Sequence, residues 1–101
     1  MAMKFVSVEE LDNMLAEPAG FQLIDVREPY EYEDWNLGGD NIPLDTVLSN
    51  KDKISSDKKV VFCCMTGKRS SAMTHTLERK FGMHNLYSLQ GGLENYLESK
   101  Q

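Results

Sequence analysis

Residues 62–70 read FCCMTGKRS: two adjacent cysteines close an apolar run, then come a glycine, two cations and hydroxyl side chains, with Ser71 next. These residue types suit nucleophilic sulfur chemistry. If Met65, Thr66, Gly67, Lys68 and Arg69 curl around the Cys64 sulfur, their backbone N–H groups form an anion-binding nest. A helix starting a few residues later adds its positive end. Gly67 permits the turn, and Thr66, Ser70 and Ser71 offer hydroxyl donors. A free cysteine of pKa about 8.5 is about 3% thiolate at pH 7, whereas a pKa of about 6.5 gives about 75%, a difference of about 2.7 kcal/mol. A cradle able to supply that difference would equally hold a bound anion or a persulfide.

Only one of the two cysteines can face such a loop, because neighbouring side chains on a strand point to opposite faces. The glycine, cations and hydroxyls all follow Cys64, so Cys64 is the candidate nucleophile and Cys63 a small buried apolar residue. Bridging adjacent cysteines demands strained geometry, so free thiols are expected. The two histidines, His75 and His84, lie at no recognisable ligand spacing from the cysteines, which argues against a metal site. Neither histidine is needed as a base, since a thiolate held by the loop attacks without one. No cofactor is called for.

The chain has 101 residues, 41% of them hydrophobic, which suits one domain over 1–101. A chain of this size buries about 65% of the surface its unfolded form exposes. The formal charge of -5 disfavours nucleic-acid or anionic-membrane binding, both of which want a broad basic surface. The opening MAMKFVSVEE meets acidic residues too soon for a signal peptide, and no run approaches a membrane span. A cytoplasmic monomer is the simplest expectation.

The elements that must position the loop follow from periodicity. Ser7 with Glu10 reads as a capping box opening a helix through Val8, Leu11, Met14 and Leu15, stopped by Pro18 and Gly20. FQLIDV, residues 21–26, is apolar on both faces, as buried parallel strands are. Pro29 starts a short helix bearing Tyr30, Tyr32 and Trp35, broken at Gly38 and Gly39 before a brief extended NIPL. Leu44, Val47 and Leu48 suggest a further helical turn. KVVFCC is the strongest strand, with Cys64 as its last residue, and from about Arg69 the spacing of Ala72, Met73, Thr76, Leu77 and Phe81 predicts a helix ended by Gly82. Leu86, Tyr87 and Leu89 make a last strand, and Gly91 and Gly92 lead into a helix with Leu93, Tyr96 and Leu97 on one face. This alternation predicts an α/β domain with a central, mostly parallel sheet flanked by helices on both faces. Ligands in such folds bind beyond the carboxyl ends of the strands, where Cys64 lies.

LIDVREPYEYE (23–33), CMTGKRS (64–70) and LQGGLENYL (89–97) resemble, in order and separation, the strand end, active loop and closing segment of the rhodanese family of sulfurtransferases in its single-domain form. The resemblance covers nearly the whole chain. It implies that Cys64 takes sulfane sulfur from thiosulfate or a persulfide and hands it to a thiol or cyanide, with a protein as a further option for donor or acceptor. Met65, Thr66, Gly67, Lys68, Arg69 and Ser70 would bind the substrate, and Asp25 and Arg27 would support the loop from behind, a solvated strand end being the plainer alternative for that pair. Four residues separate Cys64 from Arg69, as in the sulfurtransferases; related phosphatases and arsenate reductases use five.

The chain departs from the family pattern at three places. Asn36 stands near a customary histidine and Tyr96 where tryptophan is common, both read as structural. Met65 replaces a second arginine frequent in thiosulfate-active members, which counts against thiosulfate as the physiological donor and leaves a protein or low-molecular-weight persulfide open. The acidic aromatic segment of Glu28, Tyr30, Glu31, Tyr32, Glu33, Asp34 and Trp35 could flank the loop and meet a basic partner, although such a stretch is more often a solvated face. The alternative to an enzyme is a non-catalytic sulfur carrier or protein-binding module of the same fold.

Overall fold

The computed structural model describes residues 4–101. Five strands form one sheet in the order β1-β5-β4-β2-β3, and every pairing in it is parallel. The strands are β1 (Phe5–Val6), β2 (Phe21–Asp25), β3 (Asp40–Asn41), β4 (Lys59–Cys63) and β5 (Leu86–Leu89). Four α-helices intervene: α1 (Val8–Leu15), α2 (Pro29–Asp34), α3 (Lys68–Phe81) and α4 (Gly92–Ser99). The α/β class and the parallel sheet expected from the apolar runs are both present.

β4 lies at the centre because its run of Val60, Val61 and Phe62 is apolar on both sides, and each residue is fully buried. Alternation divides the core in two. Val60, Phe62 and Cys64 join Ile24, Val26, Leu86 and Leu77 of α3 on one face. On the other, Val61 and Cys63 join Leu23, Leu89, Leu11 of α1 and Leu93 of α4. The helices thus cover both faces, and the two cysteines point to opposite sides of the sheet.

The Ser7–Glu10 capping box is formed as expected, and Pro29 occupies the first turn of α2. The chain between β3 and β4 builds 3-10 turns over Leu44–Thr46 and Leu48–Lys53 where one helical turn is expected. β4 ends at Cys63, one residue earlier than the sequence suggests, because the backbone leaves the ladder to form the loop. α3 begins at Lys68, one residue earlier than expected. β1 is not legible in the sequence: two residues carry no periodicity, and pairing with β5 alone defines the strand. No helix among the described residues is long and apolar enough to cross a membrane.

Candidate functional site

Residues 64–67 connect the central strand to α3, and the Cys64 sulfur fills the turn they make. Gly67 N–H donates to Cys64 Sγ at 3.2 Å and Ser70 N–H donates to it at 3.3 Å. Ser70 lies in the first turn of α3, whose N–H groups have no partner within the helix, so the sulfur caps the helix where an oxygen usually does. The Cys64 thiol also donates to Ser70 Oγ at 3.5 Å. Cys64 has no exposed surface.

The loop keeps its shape through two glycines set back to back. Gly67 has φ of +92°, a left-handed conformation that side chains disfavour. Gly92 has φ of +69°, and a Cβ there would stand 2.4 Å from Met65 O, 2.6 Å from Gly67 N and 2.7 Å from Cys64 O. That close approach lets the first turn of α4 grip the loop: Leu93 N–H donates to Cys64 O at 2.9 Å and Glu94 N–H to Met65 O at 2.8 Å. Two helix N-termini, those of α3 and α4, therefore converge on the loop and satisfy their free donors there.

The remaining expected residues divide. Thr66 and Lys68 are exposed at the loop surface. Met65 turns to the far side and packs against the cluster containing Cys63. Arg69 does not reach over open solvent; its guanidinium pairs with the Glu31 carboxylate of α2 through Nη1 at 2.9 Å and Nη2 at 3.2 Å. This bidentate contact holds the Glu31 carboxyl below the usual glutamate range, first through the hydrogen bond itself and against the opposing effect of burial. Ser71 is not directed at the sulfur; its hydroxyl donates to Lys68 O.

Asp25 and Arg27 are buried rather than solvated. Arg27 Nε donates to Asp25 at 3.0 Å and Nη2 at 2.8 Å, and Nη2 also donates to Trp35 O at 2.7 Å. Burial opposes the Arg27 charge, but the hydrogen bond and charge of Asp25 outweigh it and raise the guanidinium pKa. The pair lies beside Cys63, which is paired with Asp25 in the sheet, and it ties the end of α2 to the strands. It braces α2 at Trp35, and the same helix carries Glu31, the partner of Arg69. Burial pushes the Cys63 thiol pKa well up, with Asp25 adding to the effect.

Asn36 and Tyr96 have structural contacts. Asn36 Nδ2 donates to Tyr32 O, and Gly38 N–H donates to Asn36 Oδ1, closing the turn after α2. Tyr96 OH donates to Asp12 at 2.7 Å and joins α4 to α1. His75 and His84 are exposed. Among the described residues no group of three or more His, Cys, Asp or Glu side chains is placed to hold a metal.

Three residues to which the sequence assigns no part in the site join it. Glu31 holds Arg69, Ser88 of β5 touches Ser70 Oγ at 2.7 Å, and Gly92 packs on the loop backbone. Glu31 sits among several similar carboxylates, so only the helix phase of α2 singles it out. Gly92 carries the one available signal, its place in the late GG pair.

Comparison with known proteins places these features in a family. The model for the Rhodanese-like domain matches residues 7–99. The uncharacterized protein YqhL of Bacillus subtilis is 43% identical over 76 residues, covering 74% of this chain, and the chain spans 60% of that protein's length. A rhodanese-like domain protein from Staphylococcus aureus superposes with a TM-score of 0.81 at 26% identity, over 93% of this chain and 91% of that one. The Saccharomyces cerevisiae single-domain sulfurtransferase RDL2 superposes with a TM-score of 0.76 at 25% identity, over 98% and 92% of the two chains. From the parallel sheet, the loop between β4 and α3 and these matches together, the chain belongs to the rhodanese-like domain family.

Proposed function

We propose that the protein is a sulfurtransferase that carries sulfane sulfur as a persulfide on Cys64. The observation that carries this reading is the pair of N–H groups, from Gly67 and Ser70, aimed at the Cys64 sulfur at the mouth of a parallel sheet. Donors fixed in that way favour negative charge on sulfur, whether as thiolate or as persulfide. A relative of the same fold named as a single-domain sulfurtransferase supports the reading.

The cycle has two displacements. The Cys64 thiolate attacks the sulfane sulfur of the donor, forms an S–S bond and expels the donor's remaining group, sulfite from thiosulfate or a thiolate from a persulfide. The acceptor, a thiolate or cyanide, then attacks the terminal sulfur of Cys64–S–S⁻, giving a new persulfide or thiocyanate and restoring the Cys64 thiolate. A covalent intermediate of this kind imposes ping-pong kinetics. Because Cys64 is fully buried, the loop has to shift to admit the donor.

The charge around the loop favours a persulfide donor over thiosulfate. Thiosulfate is a dianion, yet the Arg69 charge is answered by Glu31 and Met65 offers none. Lys68 is the exposed loop cation left to meet it.

Intact-protein mass spectrometry tests the proposal after incubation with thiosulfate or glutathione persulfide, followed by cyanide. A gain of one sulfur atom in wild type but not in Cys64→Ser, removed by cyanide, is expected. No gain from either donor, with Cys64 reduced, would point instead to a protein-binding module.

A further inference from the structure

Ser88 lies on β5 beside Phe62 of β4, with its hydroxyl against that of Ser70 in the first turn of α3. It is 1% exposed, and Ser70, its hydroxyl partner at 2.7 Å, is fully buried. Nothing in the cycle above uses Ser88. A buried hydroxyl nevertheless needs a partner for its hydrogen, and among the described residues Ser70 Oγ is the one hydrogen-bond partner Ser88 Oγ has. The 2.7 Å contact by itself fits either direction of donation. If Ser70 gave its hydrogen to Ser88, the Ser88 hydrogen would be left buried without an acceptor. Donation from Ser88 to Ser70 avoids that loss.

The direction matters because Ser70 has a single hydroxyl hydrogen and two acceptors competing for it. Gly67 O lies 3.3 Å from Ser70 Oγ and Cys64 Sγ lies 3.5 Å from it. With a neutral thiol, Cys64 and Ser88 both donate to Ser70 Oγ, and Ser70 donates to Gly67 O. Once the sulfur is anionic it can only accept, and the Ser70 hydrogen is free to turn toward it.

We infer that Ser88 is a positioning residue: by donating to Ser70 Oγ it pins that oxygen, and with it the one adjustable hydroxyl hydrogen, within reach of the Cys64 sulfur whenever that sulfur carries charge. The two serines form a short relay whose polarity is fixed at the Ser88 end and adjustable at the sulfur end. Bonds in series strengthen one another, so a donating Ser88 also makes Ser70 the better donor. The inference rests on Cys64 being the nucleophile, but it concerns the charge on sulfur and not the identity of the donor.

The test is the alkylation rate of Cys64 by iodoacetamide at pH 7, assigned by tandem mass spectrometry, alongside thiolate absorbance near 240 nm. The proteins are wild type, Ser88→Ala, Ser88→Thr, Ser70→Ala and the double Ser70→Ala/Ser88→Ala. A single net hydrogen bond sets the scale, so Ser88→Ala is expected to slow alkylation about threefold to tenfold and to reduce the thiolate absorbance. Ser88→Thr, which keeps the hydroxyl, stays within about twofold of wild type. In the Ser70→Ala background, Ser88→Ala has no further effect. Wild-type alkylation in Ser88→Ala, an equal loss with and without Ser70, or Ser88→Thr as slow as Ser88→Ala would each overturn the inference. Alkylation needs no sulfur donor, so the relay can fail while sulfur transfer persists, and it can hold in a protein that never forms a persulfide.

Discussion

Arg69 and Glu31 stand 38 residues apart in sequence and meet in a two-pronged ion pair, 2.9 and 3.2 Å, that fastens the Cys64 loop to α2. Both side chains are partly exposed, at 36% and 21%, so the pair stabilises the fold only modestly. Its larger effect is on geometry, because the planar guanidinium accepts one orientation against a carboxylate. Glu31→Gln keeps the shape and removes the charge. Sulfur transfer is expected to fall on the order of fivefold, about 1 kcal/mol, with a smaller fall in the unfolding midpoint at pH 7 that a urea melt resolves. Steady-state transfer beside a urea melt reads both; a large loss of stability with unchanged transfer would contradict the positioning role.

Acid should loosen the same clamp. Arg69 lowers the folded-state pKa of the Glu31 carboxyl, so the folded protein binds that proton less readily than the unfolded chain does. The stabilisation is therefore complete above the ordinary glutamate pKa and is lost as pH falls through the lowered folded value. Urea midpoints measured from pH 7 down to about 3 should converge for wild type and Glu31→Gln at the acid end. Curves that stay parallel throughout would sink the assignment.

Gly92 is the position where one methyl group should do most damage. Its Cβ would meet three backbone atoms within 2.7 Å, none of which can swing aside, and its positive φ adds strain. Gly92→Ala is expected to lose more than about 2 kcal/mol of stability. Gly20→Ala, where a Cβ meets nothing within 4 Å, should stay within about 1 kcal/mol of wild type. Equal melting of the two variants would refute the close-packing account of the loop.

Most of the fold is legible in the sequence because its signals are local. The Ser7–Glu10 capping box, the apolar runs of β2 and β4, and the helical spacing from Ala72 to Phe81 each decide an element without help from elsewhere. The alternation of Cys63 and Cys64 is local too, and it sends them to opposite cores. What escapes is whatever depends on a distant partner. β1 exists only through β5, and Glu31 gains its meaning only when α2 is turned toward a loop it cannot know about. Ser88 is an ordinary strand serine until β5 lies beside β4 and brings it to Ser70.

The Asp25–Arg27 pair should behave as a buried ion pair behaves. Both residues are nearly inaccessible, and the guanidinium also carries Trp35 O. Arg27→Met leaves the Asp25 carboxylate buried without its partner and should cost about 3–5 kcal/mol. Asp25→Asn combined with Arg27→Met removes both charges and should recover part of that loss, because no uncompensated ion remains. Chemical denaturation of the single and double variants gives the coupling directly. Strictly additive losses would mean that the two side chains contribute independently.

The two cysteines offer the sharpest contrast, since they are adjacent, both buried and chemically identical outside the fold. Cys63 packs among Val6, Leu11, Leu89 and Leu93, beside Asp25, and burial drives its thiol pKa up. A thiol in that setting stays protonated at neutral pH and is a poor nucleophile. Cys64 instead receives two backbone N–H groups at its sulfur. Cys64→Ser is therefore expected to abolish persulfide formation, while Cys63→Ala retains most of it and loses about 1 kcal/mol of stability at the core face. Persulfide loading by mass spectrometry and a thermal melt on each variant separate the two effects. Equal loss of loading in both variants, with both folded, would mean that the sulfur passes through the pair and that the division of labour set by the strand is wrong.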